Sequence, residues 1–174
     1  LSVHIASQIF ENKPYERMLK VIDRIISKIN FKFDYIDLGG GMGISYKNDN
    51  KKFNYINYEK SIIKFLGKYN SKIIFEPGRS IVGNTGVLIS QIIYIKENQS
   101  KNFIILDAAM NDLMRPALYG AEHRIIPISR TKNISKKAYE FVGPICESTD
   151  KFLTIKKFQK LKEKELIIIC DVGA

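Results

Sequence analysis

Apolar residues recur every three or four positions from Met18 to Ile29, through Leu19, Ile22, Ile25 and Ile26, and only a helix gathers that spacing on one face. Pro14 stands where a first helical turn tolerates it. The flanking segments differ. "LSVHIASQI" before this pattern and "FDYIDL" after it are short apolar runs of strand character. A second helical pattern, "YINYEKSIIKFLGKYN", follows, and then a third short run in "SKIIFEPGRS". Strand, helix, strand, helix, strand is the order of βαβ units, whose strands lie parallel. Parallel pairing is therefore the main constraint on residues 1–85.

After about Gly86 the helical spacing stops. "GVLISQIIYIKE", "KNFIILDAAM", "HRIIPISR", "KAYEFVG" and "KELIIICDVGA" are strand-type runs divided by turns, with no convincing crossover helix among them. The fold class expected is α/β plus β, with α/β over residues 1–85 and a mostly antiparallel β domain over 86–174. No internal repeat or low-complexity linker interrupts it.

Charge and cysteine content narrow the function. Twenty-eight Lys and Arg against eighteen Asp and Glu leave +10, an excess that suits phosphate neutralisation. The lysines are scattered, however, and the densest cluster, "KKFQKLKEKE", ends in acids. Solvated faces account for them better than a nucleic-acid surface. Two cysteines, Cys146 and Cys170, make neither a disulfide framework nor a CxxC metal pair, so no metal is expected and a cytoplasmic setting is the default. The longest apolar run, "LIIIC", is too short for a bilayer. The chain opens without Met inside a strand-like run and closes as a strand meets a Gly turn, so a larger parent protein is expected.

Each short run of the first half ends in distinctive chemistry. His4 and Ser7 fall in or after the first, Gly39, Gly40 and Gly41 after the second, and Glu76, Pro77, Gly78 and Arg79 after the third. Sites of parallel α/β folds sit at the C-terminal ends of strands. Three glycines let main-chain N–H groups approach an anion closely. "GGGMG" lacks the GKS or GKT of a nucleotide P-loop, so phosphate without nucleotide is the better match. Glu76 and Arg79 make either a surface ion pair of small value or a pair of recognition groups. Cys146, in "FVGPICESTD", is either a packed thiol or a proton donor beside Glu147.

In order, "HIASQ", "DLGGGMGI", "EPGRSIVGNTG", "DAAMNDLMRPALYGAEH", "VGPICESTD" and "DVGA" resemble the diaminopimelate decarboxylase family of pyridoxal-phosphate (PLP) enzymes, across essentially the whole chain. The resemblance implies the C-terminal part of a PLP-binding (β/α)8 barrel followed by an incomplete β domain. It implies PLP-dependent decarboxylation of meso-2,6-diaminopimelate to L-lysine by a homodimer, without nucleic-acid or membrane partners. His4 would stack on the cofactor ring and Ser7 would lie near its phosphate. Gly39, Gly40 and Gly41 would cradle that phosphate, joined by Gly78 beside Pro77. Glu76 would keep the pyridine nitrogen protonated. Arg79, Arg115 and Tyr119 would hold substrate, since an Arg grips a carboxylate in bidentate fashion. Cys146 would reach the partner subunit's site as proton donor, suited by a thiol pKa of about 8.5, and Glu147 would bind the distal ammonium. Cys170, inside an apolar strand, reads as an inert thiol.

Ala6 and Ala109 stand where the family usually has Gly, and Met42 where it has Leu, a swap cores tolerate. The family's Schiff-base lysine would precede Leu1, and a cofactor-touching tyrosine would follow Ala174. The alternatives are a PLP decarboxylase for ornithine, arginine or carboxynorspermidine, or a non-catalytic gene remnant.

Overall fold

The computed structural model describes residues 1–29, 31–46 and 51–174. Asn30, at the end of the first expected helix, and residues 47–50 of the polar stretch "SYKNDNKKFNYIN" lie outside the described residues. The chain divides into two compact units, residues 1–84 with Ala174 and residues 85–173.

In the first unit the expected helices form as α1 (Lys13–Ile29) and α2 (Tyr55–Leu66). α1 buries Tyr15, Met18, Leu19, Ile22 and Ile26, a stripe of three- and four-residue steps, while Ile25 and Ile29 point outward. α2 starts at Asn54, whose side-chain oxygen accepts the Asn57 N–H at 3.0 Å, and buries Tyr58, Ile62 and Phe65. Between them runs β1 (Tyr35–Asp37), paired in parallel with β2 (Lys72–Ile74). The two core faces meet over Tyr15, Phe53 and Tyr58, whose rings stack edge-on or tilted at 4.6–5.6 Å. Asp23 of α1 ties this helix to the end of α2's turn, accepting bonds from Lys68 at 2.6 Å and from the Tyr69 hydroxyl.

The first apolar run departs from expectation. It makes no named strand but two isolated parallel bridges, Ser2 with Asp37 and Ile9 with Met42. The Val3 N–H donates to Asp37 O and the Asp37 N–H to Leu1 O, extending the parallel pairing on β1's other side. Gln8, in the left-handed region at φ 65°, breaks the run's extended path between the bridges. Its side chain repairs the gap, donating to Ile44 O at 2.7 Å and accepting the Ile44 N–H at 3.1 Å.

The second unit is a six-stranded sheet in the order β5-β8-β3-β4-β6-β7. Its strands are β3 (Val87–Glu97), β4 (Asn102–Leu106), β5 (Ile125–Pro127), β6 (Ala138–Val142), β7 (Lys151–Lys156) and β8 (Leu166–Cys170). β3 serves two partners: its first half pairs with β8 and its second with β4, with an irregularity between Ile92 and Tyr94. Ile92, Ile104, Leu106, Phe141, Ile167 and Ile169 fill the core on its covered face.

Two features of this mostly antiparallel sheet go beyond the sequence reading. β4 and β6 are parallel neighbours, the other pairs being antiparallel. The long excursion from Asp107 to Lys137 makes that possible, since parallel neighbours need a crossover. It contains a short helix, α4 (Arg115–Tyr119), with Pro116 in its first turn and Gly120 left-handed at its end, φ 60°. β7 is the second. Its "KFLTIK" lies between lysines, and only Phe152 is fully buried, so periodicity alone is faint there.

Candidate active site

The glycine run of the first unit is squeezed between two main chains. Gly39 and Gly41 hold φ of 65° and 96°, conformations side chains avoid. A Cβ on Gly40 would collide with the Glu76 carbonyl, and one on Gly41 with the Ala6 carbonyl. The first segment and the segment after β2 thus reach the run from opposite sides. The Glu76 N–H donates to Gly39 O at 2.8 Å, and the buried Tyr15 hydroxyl to Gly40 O at 3.0 Å. Burial, with Tyr55 nearby, pushes the Tyr15 hydroxyl pKa up to about 12, so it remains a donor.

The run's own donors are partly committed. The Gly39 N–H is taken by Asp37 Oδ1 at 2.8 Å, and the Gly40 N–H leans on His4 Nδ1 at 3.5 Å. Gly41 and Gly78 have no main-chain acceptor for their amides among the described residues. Gly78 opens on free space: nothing lies within 4 Å of where its Cβ would sit, and the short helix α3 (Arg79–Val82) that follows has no side-chain cap. His4 and Ser7, Gly39–Gly41, and Glu76, Pro77, Gly78 and Arg79 therefore lie on three chain segments that meet at the glycine run.

The simple ion pair between Glu76 and Arg79 does not form. Arg79 turns to Ser7 Oγ, donating from Nε at 3.3 Å, and to the Tyr46 hydroxyl, with its guanidinium 5.9 Å from that ring's centre. Glu76 is left exposed, its carboxylate without a partner among the described residues. The set fits a phosphorylated heterocycle: an uncommitted carboxylate for a ring nitrogen, an exposed imidazole for its face, and open space at free amides for an anion.

In the second unit Arg115 begins α4 and is half-buried, whereas Tyr119 at its end is 75% exposed. Cys146 and Glu147 lie exposed in the loop from β6 to β7. Glu147 Oε1 accepts bonds from the Thr149 N–H, the Ser148 hydroxyl and the Thr149 hydroxyl, and these donors hold its pKa below the ordinary carboxylate value. Cys170 is buried at the end of β8.

Two residues that sequence reasoning passed over organise this unit. Asp150, 3% exposed, accepts the Ile145 N–H at 2.9 Å and the Met110 N–H at 2.7 Å. One carboxylate so pins the Cys146 loop to the segment leading into α4. The Gly143 position is filled by that carboxylate, leaving no room for a Cβ. The second is His123, 1% exposed, lying between Arg115 and the Cys170 carbonyl. Both stood inside the quoted motifs, and the signal available was only that a buried polar group needs partners. Ala6 is exposed, Ala109 is buried in a turn closed by Asp112, and Met42 sits in the first core. Among the described residues no helix is long and apolar enough to cross a membrane, and no cluster of His, Cys, Asp and Glu could hold a metal ion.

A family model described as pyridoxal-dependent decarboxylase, C-terminal sheet domain, matches residues 9–173. A diaminopimelate decarboxylase of Aquifex aeolicus is 39% identical over 98% of this chain, which spans 41% of that relative. The crystal structure of diaminopimelate decarboxylase from Helicobacter pylori complexed with L-lysine superposes with a TM-score of 0.84 at 38% identity, over 98% of this chain and 43% of that one. That of M. jannaschii, in co-complex with L-lysine, gives 0.87 at 32%, over 98% and 41%.

Proposed function

The chain belongs to the pyridoxal-dependent decarboxylases, and from that premise we propose that it is part of a diaminopimelate decarboxylase, converting meso-2,6-diaminopimelate to L-lysine and CO2. The observation that carries the reading is 39% identity to such an enzyme over nearly the whole chain. The chain spans about two-fifths of the curated relatives it matches. The lysine that carries the cofactor is assigned to a part of the longer protein that this chain does not span.

PLP, when bound, supplies a sink for the electron pair left as CO2 departs. Glu76 would accept a hydrogen bond from the pyridine nitrogen and favour its protonated form. His4, held at Nδ1 by the Gly40 amide, would offer its ring face. The glycine run supplies room more than donors, because the Gly39 amide is committed. Phosphate oxygens would be met by the amides of Gly41 and Gly78, with Ser7 and Pro77 beside them. Arg79, Arg115 and Tyr119 would grip the substrate, each guanidinium suited to a carboxylate. Cys146 Sγ would return a proton to the carbon that lost CO2. Glu147, kept ionised by its donors, would bind the distal ammonium. In this reading Cys146 and Glu147 serve the partner subunit's site, in a cytoplasmic homodimer split from barrel to β domain near Thr85.

The test is CO2 and L-lysine release from meso-diaminopimelate by the complete protein with PLP. Release from ornithine, arginine or carboxynorspermidine in place of diaminopimelate would move the assignment to a related decarboxylase. No release from any of them would leave a non-catalytic protein.

A further inference from the structure

Resting on the reading of Arg115 as a substrate-gripping residue, we propose that His123 positions the Arg115 guanidinium and acts on the reaction only through it. α4 is too short to fix its first side chain: it has five residues, and its N-cap, Met114, makes no side-chain cap bond. A long Arg side chain on such an element needs an outside anchor to keep one direction. His123 supplies one. Its Nε2 lies 3.0 Å from Arg115 Nη1, and its Nδ1 lies 3.0 Å from the Cys170 carbonyl oxygen.

The two partners dictate the tautomer. A guanidinium only donates, so Nε2 must accept, and a carbonyl only accepts, so Nδ1 must carry the hydrogen. The imidazole is therefore neutral here, with both ring nitrogens satisfied. A second proton, on Nε2, would set two donors face to face and break this bond to Arg115. The anchor is itself rigid, because the Cys170 N–H donates to Arg124 O at 2.8 Å, clipping the residue after His123 to the end of β8. At 1% exposure the ring is shut off from solvent. This makes His123 a positioning residue, tying the substrate-facing arginine to the sheet.

A double-mutant cycle on the complete PLP-loaded enzyme tests it. H123L keeps an apolar side chain in place and removes the acceptor. It is expected to raise KM for meso-diaminopimelate ~10-fold with kcat changed less than ~3-fold, the effect of losing one bond to a charged group. R115M should raise KM at least as far, and adding H123L to R115M should change it by no more than ~2-fold, because the two act as one unit. Additive effects, or an unchanged KM in folded H123L, overturn the proposal. Where H123L does not fold, H123Q keeps an oxygen facing Arg115, and KM is expected within ~3-fold of the unsubstituted enzyme. A tenfold rise there, with R115M additive to it, overturns the proposal as well. Absence of CO2 release by the unsubstituted enzyme sinks the decarboxylase reading and this inference with it, whereas release with additive effects sinks the inference alone.

Discussion

The two units hold their candidate residues by opposite means. In the first, the constraint is the absence of side chains: Gly40 and Gly41 lie so close to the carbonyls of Glu76 and Ala6 that no Cβ fits. In the second, the constraint is the presence of buried acceptors, Asp150 under the Cys146 loop and His123 behind Arg115. A site made by space and a site made by acceptors fail differently. Filling the first should disturb binding by displacing main chain, while emptying the second should loosen loops and strand part-buried donors.

The largest effect is expected at Asp150. D150A leaves the Met110 and Ile145 N–H groups without an acceptor, and each stranded donor costs about 1–3 kcal/mol. Urea unfolding of the second unit should show a loss of roughly 2–6 kcal/mol on that account. D150N, which keeps one acceptor oxygen, should fall between. Equal losses for the two variants would mean that retained volume and a single acceptor oxygen hold nothing, and that both carboxylate oxygens are needed.

G40A sharpens the other side of the comparison. The added methyl must push the Glu76 carbonyl away, at about 1–3 kcal/mol for an overpacked site. The complete protein should then lose PLP on dialysis, read as absorbance above the protein band, while its second unit unfolds as before. Unchanged cofactor retention in G40A would break the distinction, since space would then not be the limiting quantity.

The smallest effect concerns acid stability. The Ser90 hydroxyl, donating to Asp107, is the main cause of a lowered Asp107 pKa, assisted by the Gln91 N–H. A carboxyl with a depressed folded pKa contributes stability above its unfolded value, about 3.9, and loses it as pH falls through the folded one. S90A should therefore shift the acid-unfolding midpoint upward slightly and leave stability at neutral pH less changed than D150A does. A midpoint unmoved by S90A would show that the Gln91 N–H alone suffices.

The sequence carried the elements whose pattern is local. α1 and α2 announce themselves by spacing, and the glycine run announces a close approach. What it did not carry are pairings that depend on partners far along the chain. Nothing in "FIIL" or "YEFV" says that β4 and β6 run parallel, because a strand's periodicity is the same in either direction. Gln8 interrupts a run that looks uniformly extended, and only its left-handed φ turns a strand into two bridges. Asp150 and His123 read as ordinary polar letters until burial gives them partners. The candidate residues of both units stood in legible motifs, but the contacts that hold them became legible only with the tertiary structure.

β3 and β8 carry one more consequence. Val87 pairs with Cys170, and the Val172 N–H donates to Gly86 O at 3.0 Å, so the second unit begins and ends at adjacent points of one sheet. Topologically it is a closed excursion of the chain. Such a unit tolerates having its ends rejoined and new ones opened elsewhere. A circular permutant of residues 86–173, opened at the turn between β3 and β4, would keep every strand neighbour it has now.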